Sequence, residues 1–263
     1  GENIWVYDTD EDKLNALYED CGITICPSGE SVASGVDTLV LAVKPQVLPE
    51  VMPEIAKGIT KDKTVISIAA GKSIGWYEER LAKGVPVVRC MPNINAKVKA
   101  SVTAICGGKG ATADDIKIAD GIFASVGKIY HIEEKMFPAF GALGGASGAF
   151  VLLYIDALAE AGVRAGFSRP MAEEIATATV MGSSALAMDS DHESRMLARR
   201  NHRRGCLQAQ GARLRDRRPA SPPGHNRQRL VFRGELGHLR IRLSLVARPV
   251  SADETGKLPP YVS

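Results

Sequence analysis

The stretch that most narrows the possible folds is residues 39–45, LVLAVKP, where five consecutive apolar residues run into Lys44-Pro45. A short unbroken apolar run of this kind reads as a strand buried on both faces, the pattern of a parallel sheet covered by helices. In open α/β sheets ligands settle just outside the carboxyl ends of the strands, so the backbone of Ala42, Val43, Lys44 and Pro45 lies where a cofactor would sit. TVISIAAG (residues 64–71) and VPVVRCMPN (residues 85–93) repeat the design at the roughly 20- to 25-residue interval of βαβ units. Each ends in small or polar residues.

From the start of the chain, ENIWVYD reads as a strand ending in Asp8, and DEDKLNALYEDC continues as a helix closed by Gly22. An acidic side chain at that place accepts hydrogen bonds from the adenosine ribose of a dinucleotide, about 20 residues after a glycine-rich turn. The competing reading of Asp8 is a solvated residue opening a turn. No G-x-G-x-x-G precedes it, and the expectation is that the first strand and its loop were lost from this polypeptide. Residues 23–25 and SGESVAS give a short strand and helix, residues 49–57 a helix with Pro53 near its start, and residues 73–83 another. The alternation argues for a right-handed, doubly wound sheet.

One stretch imitates the dinucleotide fingerprint. Gly108-x-Gly110-x-x-Ala113 lies between a strand and a helix, but Asp114 and Asp115 fall in the first helical turn, where they would repel a pyrophosphate. A tight turn capped by Thr112 and leading to a strand at 128–132 is the preferred reading.

Residues 133–190 carry no strand signal. They predict two long helices rich in Ala, Gly and Ser, the second capped by Ser168, and apolar nearly all round. Such helices pack closely on other helices, and a second copy of the chain is the expected partner. From His192 the periodicity fails. Residues 1–191 carry a net charge of −8 and residues 192–263 one of +11, and 15 of the 19 arginines lie in the latter. Arginine-rich, proline-broken sequence buries too little apolar surface to order itself. It reads as a segment translated in a shifted frame or lacking order. The competing reading is a nucleic-acid-binding tail, but lysines, interleaved aromatics and repeats are wanting, so nucleic acid is not the expected partner.

Length suits about two domains. The sequence shows no apolar run near the roughly 20 residues of a membrane span and no leader, so a cytoplasmic protein without membrane contact is expected. Cys21, Cys26, Cys90, Cys106 and Cys206 have no metal-ligand spacing, and free thiols with no metal are expected. The domain reading is a dinucleotide-binding domain at 1–132 without its first βα unit, an incomplete helical dimerisation and substrate domain at 133–191, and the arginine-rich segment at 192–263.

At LAVKP, ISIAAG and VVRCMPN, and again at ALGGASGAF and YIDALAEAGVRAGFSRPMAEEIA, the chain resembles pyrroline-5-carboxylate reductase from about residue 4 to about residue 191. The resemblance implies a Rossmann-like parallel sheet, truncated at its N-terminus, followed by an α-helical dimerisation domain, and a homodimer or ring of dimers. It implies reduction of 1-pyrroline-5-carboxylate to L-proline with NADPH or NADH, the last step of proline biosynthesis. It places Ala42, Val43, Lys44, Pro45, Ala69, Ala70 and Gly71 against the cofactor, and Met91, Pro92 and Asn93 at its nicotinamide end; Asp8 joins the cofactor-binding set from its place at the end of the first strand. Asn93 and Ser147 are the candidate catalytic residues, and Lys44 is more readily a phosphate or carboxylate partner than a proton donor. The family's SPGGTT-like substrate segment does not appear, MPNTP is MPNIN (Ile94, Asn95), and Gly148 stands where a proline is usual. Activity is therefore expected to be impaired. Two other readings are a reductase of the β-hydroxyacid dehydrogenase kind, whose catalytic lysine would have to lie between Met136 and Met188 where there is none, and a non-catalytic dimerisation module with a basic tail.

Overall fold

The computed structural model describes residues 3–189 and 243–247. Contacts divide the described chain into two units, 3–148 with 243–247, and 149–189. The long helical run is Glu134–Arg164, and the contact boundary falls inside it.

The first unit is built on one sheet. Its strands are β1 (Ile4–Asp8), β2 (Thr24–Ile25), β3 (Thr38–Leu41), β4 (Thr64–Ser67), β5 (Val87–Met91), β6 (Ser101–Gly107), β7 (Gly127–His131) and β8 (Leu243–Ala247). They lie in the order β2-β1-β8-β3-β4-β5-β6-β7. All neighbours from β2 to β5 are parallel. Read with β8 as strand one, the first six form the 3-2-1-4-5-6 order of a doubly wound dinucleotide fold. The expectation of an arginine-rich segment without order is thus corrected for Leu243–Ala247, which pair in register with both β1 and β3; the rest of that segment lies outside the described residues.

The sheet departs from all-parallel at β6, which runs antiparallel to β5. The connection between them, carrying only a 3-10 turn at Ile94–Val98, is shorter than the dozen residues a parallel crossover needs.

The helices are α1 (Glu11–Cys21), α2 (Gly29–Gly35), α3 (Leu48–Gly58), α4 (Ile74–Glu78), α5 (Ala113–Ala124) and α6 (Phe137–Phe140). Side-chain caps start α1, α2, α4 and α5: Asp10, Ser28, Ser73 and Thr112, the last named as a cap from the sequence, each accept from a backbone N–H in the first turn. Gly22 closes α1 at φ 61°, a left-handed conformation that costs glycine nothing. α4 is shorter than the predicted 73–83. Pro53 lies well inside α3. At α5 the rejected fingerprint proves to be a capping box: Thr112 and Asp115 cap one another, and Asp115, nearly buried, also accepts from the Thr64 hydroxyl on β4.

The central strands are buried on both faces, as their unbroken apolar runs require. Leu39, Leu41 and Val65 face a core made with α2, α3 and Tyr77, whereas Val40, Ile66 and Val88 face a second core with Ala119 and Phe123 of α5.

The second unit consists of most of α7 (Ser147–Arg164) and of α8 (Arg169–Asp189). They meet through Ala159, Ala172 and Ala176, with Ile155 and Leu158 half-buried beside them, and a Cβ added at Gly162 would lie 3.1 Å from the Ala172 Cβ. Arg169 closes the corner by pairing with Asp156 and Glu173. The helical run Glu134–Arg164 is, by length and composition alone, long and apolar enough to cross a membrane, which corrects the expectation that no such run exists. Residues 136–155 hold no charged side chain; interspersed glycine, alanine and serine disguise the run in the sequence.

Candidate active site

Strands β1, β3, β4 and β5 end at one edge of the sheet, in the register Leu41 beside Ser67 and Ser67 beside Arg89. Each stretch singled out in the sequence begins where one of them stops, so Asp8, Ala42–Pro45, Ala69–Gly71 and Met91–Asn93 are gathered along that edge.

Their local geometry is set by the strand ends. The Asp8 carboxylate, 8% exposed, accepts from the Asp10 backbone N–H at 3.0 Å, so it opens a turn while being far from fully solvated. Val43 is buried and Lys44 exposed; the Lys44 carbonyl accepts from Val47 N–H at 2.9 Å ahead of α3, with Pro45 in the turn between. Ala69 N–H donates to Ser67 Oγ at 3.2 Å. Gly71 has φ +77°, and a Cβ there would meet nothing within 4 Å, so conformation, not crowding, calls for glycine.

Beneath this edge lies a polar cluster that the sequence reading passed over. Arg89, 7% exposed, points from β5 to Glu134 at 2.9 Å and stacks on the Phe137 ring at 4.3 Å. The same Glu134 oxygen accepts from Ile74 N–H, at the start of α4, at 2.6 Å. Ser67 and Tyr77 share a hydrogen bond of 2.6 Å. Burial pushes the Tyr77 phenol up, against the pull of that bond and of Arg89. Burial likewise raises Cys90 and Cys106. The signal was present in VVRCM: a charged residue inside a buried strand must be paired.

The two candidate catalytic residues each bond to a carbonyl of one turn. Residues Gly141–Ala146 form a π-helical turn, a widening found mostly as single turns and often at functional sites. Asn93 Nδ2 donates to the Gly144 carbonyl at 2.7 Å and Ser147 Oγ to the Ala142 carbonyl at 2.7 Å. Asn93 Oδ1 accepts from Asn95 N–H at 3.1 Å, and its own N–H donates to Ser101 Oγ at 3.2 Å. Among the described residues no group of three or more His, Cys, Asp or Glu could hold a metal ion.

Comparison with known proteins fits this arrangement. Residues 134–218 match the family model described as pyrroline-5-carboxylate reductase dimerisation, past the Asp191 at which the sequence resemblance fades, and residues 1–71 match that of NADP oxidoreductase, coenzyme F420-dependent. The chain is 38% identical over 189 residues to the pyrroline-5-carboxylate reductase of Methanosarcina acetivorans, covering 72% of this chain and 70% of that one. It is 40% identical to the Aquifex aeolicus enzyme, covering 70% and 68%. With the Glycine max enzyme it shares 37% identity but spans 61% of its length. Among solved structures, the Plasmodium falciparum pyrroline carboxylate reductase with NADP bound is 32% identical with a TM-score of 0.63, each chain covered to 66%. The Coxiella burnetii pyrroline-5-carboxylate reductase is 27% identical with a TM-score of 0.68, covering 79% and 81%. By its identity to these enzymes and the extent over which it aligns with them, this chain belongs to the pyrroline-5-carboxylate reductase family.

Proposed function

We propose that the chain is an oxidoreductase that reduces 1-pyrroline-5-carboxylate to L-proline with NADPH or NADH. The observation that carries this reading is the gathering of the four strand-end segments along one edge, with Asn93 and Ser147 each bonded to a carbonyl of the π-helical turn. The small residues Ala42, Ala69, Ala70 and Gly71 at that edge fit a flat cofactor approaching the backbone, and the open space at Gly71 agrees with it. Asp8 would hold the adenosine ribose, the segments 42–45 and 69–71 would line the dinucleotide, and Met91, Pro92 and Asn93 would bound its nicotinamide.

The reaction needs a hydride at the imine carbon, which bound NAD(P)H supplies, and a hydrogen bond or proton at the imine nitrogen. The protein's share is orientation. Asn93 is no acid, and its backbone N–H and carbonyl and both side-chain polar atoms are already bonded, which makes it a fixed wall. The Ser147 hydroxyl hydrogen lies on the Ala142 carbonyl; its lone pairs face outward from that bond, and it reaches a substrate as donor only by turning away from Ala142.

We infer a homodimer, or rings of dimers, from the exposed apolar side chains of α7 and α8, among them Phe150 (68%) and Leu153 (66%). A second copy covering the Glu134–Arg164 run accounts for its apolar character without a membrane, and the cytoplasm is the compartment of this proposal. Nucleic acid has no part in it. The dehydrogenase reading with a helix-borne lysine and the basic-tail module are not favoured by the family relationship.

The experiment is direct. The purified chain, given pyrroline-5-carboxylate, should consume NADPH or NADH and form an equal amount of proline; a chain that binds cofactor but forms none would overturn the reading. Replacing Asp8 with Ser should shift the ratio of rates toward NADPH, because a carboxylate at the ribose repels a 2′-phosphate. An unchanged ratio would remove Asp8 from the ribose site.

A further inference from the structure

The residues from Glu134 to Gly144 lie against the end of β5 in matched steps. On the helical side the contacting positions are 134, 137, 141 and 144, spaced three, four and three apart, which is one stripe of a helix. On the other side they are Arg89 and Met91, alternate residues sharing one face of β5, and Asn93, which follows the strand's end in extended backbone. Glu134 and Phe137 meet Arg89, by the ion pair at 2.9 Å and the ring stack at 4.3 Å. Gly141 lies against Met91, whose sulfur would be 3.5 Å from a Cβ built there. Gly144 receives the Asn93 amide at 2.7 Å.

We propose that this stripe is a clamp that positions Met91, Pro92 and Asn93, with Glu134 and Arg89 as positioning residues fixing its far end. The inference rests on the reading of residues 91–93 as the nicotinamide wall. Its logic is that of a lever with two fastenings. The Asn93–Gly144 bond is a single neutral hydrogen bond at a partly exposed site. The other fastening is a charged pair whose arginine is almost wholly buried and whose carboxylate also takes the Ile74 N–H, so α4, β5 and the helical run are joined at one oxygen. Each fastening holds the segment from which the other is made. Releasing Glu134 therefore loosens Asn93, although the two side chains do not touch. The π-helical turn makes the match possible: it shifts the stripe so that a carbonyl, the one at Gly144, faces the strand end. A Cβ at Gly144 would sit 3.0 Å from Phe140 and 3.1 Å from Val102, so the turn has little room to reseat.

The test compares the full chain with Glu134→Ala, Glu134→Gln and the control Glu133→Gln, whose carboxylate pairs with exposed Lys135. Hydrogen exchange at residues 93–96 reads the clamp without catalysis. The Asn95 amide should exchange at least about tenfold faster in Glu134→Ala, by an intermediate factor in Glu134→Gln, and unchanged in Glu133→Gln. In steady-state kinetics kcat should fall about 10- to 100-fold with a smaller change in KM for the imine. Unaltered exchange at 93–96 in Glu134→Ala, whether or not thermal stability falls, would overturn the clamp and leave Glu134 merely structural. Absence of turnover in the unaltered chain would count against the proposed function alone, since the exchange result decides the clamp by itself. Should Glu134→Ala fail to fold, Glu134→Gln against Glu133→Gln carries the same decision.

Discussion

The sheet unit and the helical pair solve the same problem in opposite ways. In the sheet unit Leu39, Leu41, Ile66 and Val65 are wholly buried, covered on both faces by helices of the same chain. In the helical pair only Ala159, Ala172 and Ala176 are buried, Ile155 and Leu158 are half-buried beside them, and most other large apolar residues face outward. The difference lies in side-chain size at the contacts. Alanine and glycine bring two backbones close but bury little area, about 25 cal/mol for each Å² of apolar surface. The stability of α7 and α8 must therefore come from what covers their other faces, and the dimerisation model that spans residues 134–218 states what that is in the family.

That contrast can be broken by experiment. Leu41→Ala should cost about 2–5 kcal/mol in denaturant unfolding, independent of protein concentration; a loss below about 1 kcal/mol would mean that β3 is not the centre of a self-contained core. Leu153→Asp should leave the sheet unit's unfolding unchanged but weaken self-association about tenfold or more, roughly 1.4 kcal/mol, in sedimentation. An unchanged association constant would show that this face is not the covered one. Thr112→Ala, which removes half of a capping box, should cost about 1 kcal/mol.

The smallest effect is one of pH. Burial opposes ionisation of Asp115, but hydrogen bonds from the Thr112 and Thr64 hydroxyls and from Thr112 N–H outweigh it and hold the carboxyl below its usual value of 3.8. A lowered folded value contributes stability present above the unfolded one and lost as pH falls through the folded one. Asp115→Asn should therefore flatten the acid limb of the stability profile below about pH 4, relative to the unaltered chain, and leave the helical pair's association untouched. A parallel acid limb in both proteins would sink this assignment.

Legibility followed periodicity. Residues 39–43 and 64–71 announced buried strands because nearly every position was apolar, and Thr112 announced its helix because a cap is a local signal. The edge along which the candidate residues gather was readable for the same reason, as it follows from where strands stop. The antiparallel β6 was not, since its direction is decided by the length of a connection and not by the strand itself. Arg89 and Glu134 were missed because they lie 45 positions apart, and a salt bridge leaves no trace in either neighbourhood beyond one ill-placed charge. The link of Asn93 and Ser147 to one turn was hidden likewise: each looked like an isolated polar residue, and each bonds a carbonyl of the widened turn at Gly141–Ala146.

The placement of β8 has a kinetic consequence. β1 is hydrogen-bonded in the sheet to β2 and β8, and β3 to β4 and β8, so the ladder between the first two strands and the rest passes through Leu243–Ala247. Ile4 pairs with Leu243 across almost the whole sequence, the kind of non-local contact whose loop-closure entropy must be met before it is rewarded. During synthesis the β1–β2 pair would wait, held by side-chain packing such as Trp5 over Gly35, while β3, β4 and β5 assemble behind it. The last rung of the sheet to close is then one of its innermost, and until it closes two parallel edges stand open to any strand that reaches them.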